Sequence, residues 1–338
     1  MKSVCIDKYG DSSVVSLKDI DEPLINENLV RVKVYASSIN HLDLWVRSGI
    51  TGIKHAFPFT LGSDASGVVE EIGSKVKLLN IGDRVVVFPG FHKELGKIKD
   101  EHYSKSYKII GEHINGVQSE YINLPEINLY KIDNTLTFPD ASSIPLVFMT
   151  AYEMLVVKGK IKEGDNILVY GANSGVGAAC IQIAKYFNAN IYTTVTNSKK
   201  AYFAEKLGAD KIFYLNNNFY NDVKTNIGTN RFDIIIDHIG EETWDISMKL
   251  LDIGGKLIFC GATSGYKVNI DLRHLFIKQQ LIIGSTMSSY SSFKDMMILI
   301  SKIKYKSIVD KIFPFKDVAS AHKYIDERKN IGKVILVP

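Results

Sequence analysis

The sequence predicts an α/β protein in which a mostly antiparallel β unit is joined to a doubly wound parallel sheet. Up to residue 131, short apolar runs alternate with turn residues, as they do in an antiparallel sheet. From residue 139 onward, helix-length segments separate strands that are apolar throughout, which is typical of a parallel sheet covered on both faces. The 338 residues, 46% of them hydrophobic and 23% charged, are enough for two folded domains.

The first unit is predicted from three runs near the N-terminus and one segment at the C-terminus. The runs 29–34, 67–72 and 83–88 combine β-branched residues with flanking turn residues, as strands do. Strand-like runs at 312–315 and 333–337 enclose a predicted helix at 318–328. We expect this C-terminal segment to pack back on the first unit.

The parallel sheet is predicted from six apolar runs that are separated by helices. In chain order these strands are 167–170, 191–195, 211–214, 233–236, 256–260 and 281–284. Strands that alternate with helices in this way form a doubly wound sheet, which binds ligands at the carboxyl ends of its strands.

Composition argues against several classes of protein. The net charge of +4 is the balance of 41 basic and 37 acidic residues, so no overall field favours nucleic acid as a partner. No apolar run reaches the length of about 18 residues that a membrane-spanning helix needs, and residues 1–7 do not resemble a secretory signal. Cys5, Cys180 and Cys260 are too few and too far apart for a disulfide framework or a cysteine-based zinc site. We expect a cytoplasmic protein with no membrane partner.

A glycine-rich turn follows the first strand of the parallel sheet and opens a helix. Such a turn lets the backbone approach a pyrophosphate, which the N–H groups of the helix N-terminus then bind. Aligning the last glycine of the G-x-G-x-x-G pattern with Gly177 places Ala172 and Ser174 at the other two glycine positions. The alternative is a tight turn without a nucleotide, but the series of strands favours a dinucleotide on a Rossmann-type domain. The predicted contacts are Ala172, Asn173, Ser174, Gly175, Val176 and Gly177.

The residues after the second parallel strand indicate which dinucleotide is bound. NAD-binding domains carry an acidic residue here, which binds the ribose 2′-hydroxyl. This chain instead has Thr196, Asn197, Ser198, Lys199 and Lys200. A carboxylate would repel a 2′-phosphate, whereas hydroxyls and Lys200 can bind one, so the sequence favours NADP(H) over NAD(H). The alternative is that the two lysines only form a solvated first turn of the next helix.

Five stretches of sequence resemble the medium-chain dehydrogenase/reductase superfamily, over essentially the whole chain. They are 38–49, 61–69, 81–85, 144–152 and 332–336. The resemblance implies a GroES-like catalytic domain formed by residues 1–128 and 287–338, with a Rossmann dinucleotide-binding domain, residues 129–286, inserted between its two parts. It also implies an oxidoreductase with a small-molecule substrate, assembled as a homodimer or homotetramer through the region of residues 280–285.

The resemblance further predicts that the catalytic zinc of many family members is missing. Zinc members carry a cysteine, a histidine followed by a glutamate, and one further ligand. At these positions the present chain has Asn40, Ser63 followed by Asp64, and Leu146. One carboxylate in such a set cannot form the three-ligand N/S site that catalytic zinc needs.

A structural zinc is also predicted to be absent. The lobe that holds it in many members corresponds to residues 92–110, which contain no cysteine. His92, Glu94 and His102 could bind an adventitious ion, but a solvated charged loop is favoured.

Without zinc, the chemistry favours conjugated acceptors. A zinc ion polarises a carbonyl and stabilises the alkoxide that forms from it. Quinones and α,β-unsaturated carbonyls, including enoyl thioesters, depend less on a metal because they spread the charge to an oxygen that needs only a hydrogen-bond donor. The sequence therefore predicts NADP(H)-dependent, zinc-independent hydride transfer to such an acceptor. The alternatives are an alcohol dehydrogenase or aldehyde reductase of the same superfamily, and a non-catalytic NADPH-binding protein.

Four residues of the first unit are candidates for that donor or for its support. Asn40 replaces a metal ligand, so its amide could bind a substrate carbonyl or could instead tie down the loop. His41 is a candidate acid, although a histidine at such a position is more often structural. Asp43 and Arg47 are expected to pair and cap a helix, because they lie four residues apart. Asp64 is expected to hold Arg47 or a local backbone N–H.

Further cofactor contacts are predicted near the carboxyl ends of the later strands. Thr150 resembles the family threonine beside the nicotinamide. His238 follows the fourth strand and is expected to contact the cofactor rather than to react. The remaining predicted contacts, which should face the same ring, are Gly261, Ala262, Ser285 and Thr286.

Overall fold

The computed structural model describes residues 1–228 and 231–338, which divide into two compact units. The first unit consists of Met1–Leu146, Ser289–Lys294 and Ser307–Pro338. The second consists of Val147–Ser288 and Asp295–Lys306. The domain boundaries at residues 128/129 and 286/287 stay a prediction.

The strands and helices are numbered in chain order. The strands are β1 (Lys2–Ile6), β2 (Val15–Asp19), β3 (Leu29–Ile39), β4 (Phe59–Thr60), β5 (Asp64–Ile72), β6 (Arg84–Val87), β7 (Gly90–Phe91), β8 (Lys108–Ile109), β9 (Tyr121–Pro125), β10 (Leu129–Lys131), β11 (Asn166–Val169), β12 (Asn190–Val195), β13 (Lys211–Tyr214), β14 (Phe232–Asp237), β15 (Leu251–Phe259), β16 (Leu281–Gly284), β17 (Val309–Pro314) and β18 (Lys333–Val337). The helices are α1 (His41–Ser48), α2 (Phe138–Ser142), α3 (Pro145–Tyr152), α4 (Gly175–Tyr186), α5 (Ser198–Leu207), α6 (Phe219–Ile227), α7 (Glu241–Leu250), α8 (Leu272–Lys278), α9 (Tyr290–Lys302) and α10 (Val318–Asp326).

The main sheet of the first unit is antiparallel except at one edge, which confirms the predicted antiparallel unit. Its strand order is β10-β6-β5-β3-β18-β17, with β9 also paired to β3, and within this sheet only the described pair β17–β18 is parallel. Side chains at every second position of a strand share a face. Val30, Val32 and Val34 of β3 therefore enter one core, together with Val85 and Val87 of β6.

The C-terminal segment packs back on the first unit, as predicted. β18 lies antiparallel beside β3, with Ile335 opposite Ser38. Helix α10 ends at Asp326 rather than at residue 328, and its buried residues Val318 and Ala321 join the apolar core below β18. The pairing brings the first residue of β18 to Ile39, the last residue of β3, although the two are 294 positions apart in the sequence.

The second unit contains the predicted doubly wound sheet. Within the described residues its strand order is β13-β12-β11-β14-β15-β16, and all neighbours are parallel. β15 begins at Leu251 rather than at residue 256, and its register against β14 shifts after the first pair. The chain reverses its direction of winding between β11 and β14, and sheets of this type bind their ligand in the crevice at that point.

The helices of both units are short relative to a bilayer. Among the described residues, no helix is long and apolar enough to cross a membrane.

Candidate active site

A buried group of charged and polar side chains lies in the first unit where β3, β5 and β18 meet. We call Asn40, Asp43, Asp64 and Lys333 the ion network. Asp64 and Asp43 are completely buried, and Asn40 and Lys333 are 5% and 4% exposed. A buried charge is tolerated only when it is paired and hydrogen-bonded, so the partners of these groups decide what the network can do.

Asp64, the first residue of β5, has a partner for each carboxylate oxygen. Its Oδ2 accepts hydrogen bonds from Ser38 Oγ at 3.0 Å and from Asn40 Nδ2 at 2.8 Å. Its Oδ1 accepts one from the backbone N–H of Leu146 at 2.9 Å. Lys333 Nζ lies 3.6 Å from Oδ2. Asp64 thus holds a backbone N–H, but that of Leu146, 82 positions away, rather than a local one, and Arg47 binds Asp326 instead.

Lys333 supplies the positive charge of the network. Its ammonium donates to the carbonyl oxygen of Ile39 at 3.0 Å and to Asn40 Oδ1. Burial lowers the pKa of Lys333, although the carboxylates of Asp64 and Asp43 oppose this shift. The structure thus places a cation at this position that sequence reasoning did not identify.

Asn40 and Asp43 form the start of α1. The backbone N–H of Asn40 donates to Asp43 Oδ2 at 2.7 Å, and Asp43 Oδ1 accepts from the N–H of Gly62 at 3.0 Å. Burial raises the pKa of Asp43 to about 7, although these two N–H groups and the Lys333 ammonium favour the charged form. The Asn40 amide donates to Asp64 and accepts from Lys333. These contacts match the alternative in which Asn40 ties down its loop.

Arg47 does not pair with Asp43, so that prediction is wrong. Its guanidinium Nη2 donates to both carboxylate oxygens of Asp326, at 2.8 and 2.9 Å, and its Nη1 lies 3.2 Å from His322 Nδ1. The physical reason is helix direction: Asp43 is turned inward to serve the N-terminus of α1, while Arg47, one turn later, reaches α10. Arg47 therefore joins two helices instead of bridging one turn.

His41 is the most accessible of the four catalytic candidates. It is the first residue of α1, its side chain is exposed, and its ring lies edge-on to that of Trp45, with centroids 5.1 Å apart. Desolvation by the surrounding protein, and then the charge of Arg328, lower the pKa of His41. The imidazole is therefore neutral at pH 7 and can donate one N–H.

The residues at the metal-ligand positions of the superfamily do not fit a catalytic zinc. Ser63 Oγ donates to the carbonyl oxygen of Ile110 at 2.7 Å, and Leu146 has no ligating side chain. Asn40 and Asp64 are oxygen or amide groups that already bind each other and Lys333. Zinc in catalytic sites takes nitrogen, sulfur and carboxylate ligands with one position open, and this donor set offers a single carboxylate.

The lobe that corresponds to the structural zinc site is held by hydrogen bonds. His92 Nε2 lies 2.8 Å from Ser106 Oγ, and Glu101 accepts from the backbone N–H of Tyr290. His92, Leu95 and Glu101 are buried, so the expectation of a solvated loop is wrong for these residues. Within residues 1–228 and 231–338, no group of three or more His, Cys, Asp or Glu side chains could hold a metal ion.

The glycine-rich turn of the second unit connects β11 to α4. Gly171 has a φ of 66°, and Ser174 caps α4 by accepting the N–H of Gly177 at 2.9 Å. A Cβ on Gly177 would lie 2.2 Å from the carbonyl oxygen of Gly171, so this position requires glycine. The amides of Gly175 and Val176, at the first two helical positions, have no intrahelical acceptor and are suited to an anion.

Ala172 and Asn173, two of the predicted cofactor contacts in this turn, differ in their burial. Ala172 is completely buried, and its N–H donates to the carbonyl oxygen of Thr194 at 3.1 Å, so Ala172 packs the turn against β12. Thr194 also accepts the N–H of Gly171 on its hydroxyl at 3.0 Å. Asn173 is half-buried beside Ser174.

The end of β12 presents hydroxyl, amide and ammonium groups. Thr196, Asn197 and Ser198 are exposed directly after the strand. Asn197 caps α5 by accepting the N–H of Lys200 at 3.1 Å, and the Lys200 ammonium folds back to donate to Thr196 Oγ1 at 3.1 Å. The ammonium therefore lies at the strand end where an acidic residue would read a 2′-hydroxyl.

The loop after β14 brings His238 to the glycine-rich turn. A Cβ placed on Gly171 would lie 3.1 Å from both Cε1 and Nε2 of His238. Asp237 holds this loop, because its carboxylate accepts from the N–H groups of Ile239 and Gly240 and from Thr243 Oγ1. Burial raises the pKa of Asp237.

The remaining predicted contacts lie after β15 and β16. Gly261 and Ala262 are half-buried, and the N–H of Ser285 donates to the carbonyl oxygen of Phe259 at 2.7 Å. Thr286 is exposed, and Thr150 is buried on α3, the helix that precedes the sheet. Apart from Thr150, these residues lie in loops that follow parallel strands, and these loops are at one edge of the sheet. The cofactor roles of these residues stay predictions.

Sequence reasoning did not identify Lys333, which lies in the ion network, or Asp237, which holds the loop of His238. A charged residue opens the apolar strand 333–337, and an acid ends the apolar run 232–237. Either pattern could have indicated a buried, paired charge. Only the fold shows which groups they bind.

An antiparallel β unit, joined in one chain to a doubly wound sheet with a glycine-rich first turn, is the architecture of a two-domain dehydrogenase or reductase. Residues 26–134 match the alcohol dehydrogenase GroES-like domain, and residues 175–302 match the zinc-binding dehydrogenase family. The solved structure of an NAD-dependent alcohol dehydrogenase is 35% identical, covers all of both chains and superposes with a TM-score of 0.94. The chain belongs to the medium-chain dehydrogenase/reductase superfamily and is an oxidoreductase.

Two curated relatives are similar over the full length of the chain. Human quinone oxidoreductase is 27% identical, over all of this chain and 98% of that protein. Acryloyl-coenzyme A reductase of Sulfurisphaera tokodaii is 25% identical, over all of both chains.

Proposed function

We propose that this oxidoreductase uses NADP(H) and transfers hydride, without zinc, to a quinone or an α,β-unsaturated carbonyl, including an enoyl thioester. The observation that carries the proposal is the ion network: at the metal-ligand positions of the superfamily, Asn40 and Asp64 bind each other and Lys333. The similarity to a quinone oxidoreductase and to an acryloyl-coenzyme A reductase supports the class of acceptor.

The second unit offers the groups that the cofactor would need. The amides of Gly175 and Val176 would bind the pyrophosphate at the N-terminus of α4. Thr196 and Lys200 would bind the ribose 2′-phosphate, because the ammonium and hydroxyl already lie together at the end of β12. His238 would cover the turn at Gly171.

Bound NADPH would supply a hydride to the β-carbon of the acceptor, whose conjugated electron pair moves to the carbonyl oxygen while a proton completes the reduction. Hydrogen-bond donors would stabilise the developing charge on that oxygen. His41 is the best placed of the four candidates, because it is exposed at the N-terminus of α1 and carries a neutral imidazole N–H. The amide of Asn40, already engaged, would orient the loop.

The test is NADPH oxidation, followed by its absorbance, with a panel of quinones, enones, enoyl thioesters and aldehydes. The proposal expects turnover with conjugated acceptors, slower turnover with simple aldehydes, and a preference for NADPH over NADH. Tight NADPH binding without turnover of any acceptor would instead indicate the non-catalytic alternative.

An alcohol dehydrogenase or aldehyde reductase is the second candidate, because the solved structure that is 35% identical is that of an NAD-dependent alcohol dehydrogenase. It predicts oxidation of alcohols with NAD⁺ and stoichiometric metal in the purified protein. Metal analysis separates the two proposals: one zinc per chain together with alcohol turnover would favour the second.

We also propose that the chain forms a homodimer or homotetramer through β16. Within the described residues β16 is an edge strand, and Leu281 and Ile282 on it are exposed, as are Leu272, Phe276 and Ile277 on α8. Exposed apolar edge strands are templates for pairing. Sedimentation velocity should show a dimer that Ile282→Lys dissociates and Leu78→Lys, at an exposed site of the first unit, leaves intact. The cytoplasmic location stays a prediction.

A further inference from the structure

Three oxygen atoms surround the ammonium of Lys333. They are the carbonyl oxygen of Ile39 at 3.0 Å, Asn40 Oδ1, and Asp64 Oδ2 at 3.6 Å. Lysine has three N–H donors and no acceptor; here the ammonium donates two hydrogen bonds, to Ile39 and Asn40, and the Asp64 carboxylate lies at ion-pair distance. The residues that supply these oxygens are buried.

We propose that the Lys333 ammonium is the resident cation of this oxygen cage, tethered to the last strand, and that it orients Asn40 and Asp64. Lys333 is in this sense a positioning residue: it acts through Asn40 and Asp64. The inference rests on the proposed function only for its activity measurement, because the cage itself is a property of the folded first unit.

Packing alone does not explain Lys333. The four residues that follow it in β18 are apolar, and Val334, Ile335 and Leu336 are buried. A lysine in such a strand loses the hydration of its charge, which is costly unless the ammonium is paired and hydrogen-bonded. An apolar residue would fill the same space without the desolvation cost of a charge. We therefore infer that the role of Lys333 depends on its charge.

Asp64 needs a cation, and Lys333 provides it. The other hydrogen-bond donors to Asp64 are the hydroxyl of Ser38, the amide of Asn40 and a backbone N–H, which carry no net charge. Arg47 is also buried, but it is directed to Asp326 and His322. Removing the ammonium would leave a buried carboxylate without a counter-ion.

The cage also explains the mismatch with zinc. Its atoms are oxygens, which suit an ammonium or a hard cation, whereas catalytic zinc takes nitrogen or sulfur ligands as well. The tethered ammonium and a metal ion would compete for the same carboxylate of Asp64. In this chain the Lys333 ammonium lies 3.6 Å from that carboxylate.

The first experiment uses Lys333→Ala in the full chain, with exogenous methylammonium as the probe. The folding equilibrium constant of the variant should fall about 10²- to 10³-fold, because a buried ion pair has lost one partner. Methylammonium should restore thermal stability in a concentration-dependent way, while tetramethylammonium, which has the charge but no N–H, should not. Lys323→Ala, at an exposed position of α10, is the matched control and should respond to neither.

A second pair of variants keeps the inference testable if Lys333→Ala does not fold. Lys333→Met leaves Asp64 unpaired, and the double variant Lys333→Met with Asp64→Asn removes both charges. If Lys333 neutralises Asp64, the double variant should be more stable than Lys333→Met alone. Additive losses in the double variant, or a Lys333→Ala protein with wild-type stability, would overturn the inference.

An activity measurement distinguishes positioning from stability. With a conjugated acceptor from the panel, methylammonium should raise the kcat of Lys333→Ala below its unfolding temperature and leave the KM for NADPH unchanged. Stability rescue without any kcat rescue would overturn the positioning role. If no acceptor is reduced by the wild-type protein, the proposed function fails while the stability rescue still decides the role of the cage.

Discussion

The ion network of the first unit and the strand ends of the second unit differ in what their polar groups already bind. In the network, Asp64, Asn40 and Lys333 are buried and bind one another. At the strand ends, Thr196 and Ser198 are exposed and the amides at the start of α4 are only partly covered. The polar groups of the network therefore stabilise one another, whereas the strand ends carry hydrogen-bond donors that can bind a ligand.

The difference follows from how each region is assembled. The strand ends collect at one edge because parallel strands must end together. The network needs β18 to return beside β3, and its charges are stable only when all of them meet. Changes in the network should therefore cost stability first, and changes at the strand ends should cost cofactor affinity first.

The largest effect is expected for Asp64→Ala. Removing the carboxylate leaves the Lys333 ammonium buried without its counter-ion, so the free energy of unfolding should fall by about 3–5 kcal/mol. Urea denaturation measures this change. Asp19→Ala, which removes an exposed partner of Lys2, is the control and should cost less than about 1 kcal/mol. Equal losses for the two variants would show that the network does not stabilise the first unit.

The next effect is the dependence of stability on pH through Asp43. Its pKa of about 7 in the folded protein exceeds the ordinary value of 3.8, so the folded state holds a proton that the unfolded state releases. This contribution to stability is present in full below pH 3.8 and is lost as pH rises through 7, by up to about 4 kcal/mol.

The measurement for Asp43 is a difference between two proteins. Other groups titrate in the same range, including His322, whose pKa burial and Arg47 lower to about 3 and whose contribution has the opposite sign. Asp43→Asn should remove the Asp43 contribution, so the unfolding free energy of wild type minus that of the variant should fall as pH rises from 4 to 7. A difference that does not change with pH would contradict the raised pKa.

At the strand ends, Gly177→Ala should weaken cofactor binding. The new Cβ would lie 2.2 Å from the carbonyl oxygen of Gly171, so the turn must move away from its present position. We expect the dissociation constant for NADPH to rise about 10- to 100-fold, or by about 1.4–2.8 kcal/mol. Titration by NADPH fluorescence measures it. Leu78→Ala, at an exposed site of the first unit, is the control, and similar affinities for both variants would remove the turn from the proposed cofactor site.

The smallest effect is expected for Lys200→Met. Loss of one charge-assisted hydrogen bond to a 2′-phosphate costs about 1.5 kcal/mol, which is about a tenfold loss of NADPH affinity. Binding of NADH should not change. Lys199→Met is the matched control, since Lys199 is exposed and shares the same turn of α5. If NADPH and NADH affinities fall together, Lys200 does not read the 2′-phosphate.

Much of the second unit could be predicted because its features are local. The strands 211–214 and 281–284 were predicted with the same bounds that the structure shows, since each is a continuous apolar run between turn residues. The position of Gly177 followed from the strand, turn and helix order alone. β15 was placed too late, because its first residues, which include Gly254 and Gly255, lack the apolar pattern of a strand.

Less of the first unit could be predicted, because its site depends on contacts between distant segments. The i to i+4 spacing of Asp43 and Arg47 indicates a pair on an isolated helix, yet Gly62 and Asp326 supply better partners in the fold. Nothing local to Lys333 shows that Asp64 lies beside it.

The sequence by itself determined the α/β class, the parallel sheet with its glycine-rich turn, the basic end of β12 and the absence of zinc ligands at positions 40, 63 and 146. The fold class, the glycine-rich turn and the basic strand end follow from periodicity and residue type, which act over a few positions, whereas the zinc-ligand positions come from the resemblance to the superfamily. The tertiary structure alone decided that Lys333 enters the oxygen cage and that Asn40 is already engaged. Buried charges need partners, and only the return of β18 to β3 determines which partners they find.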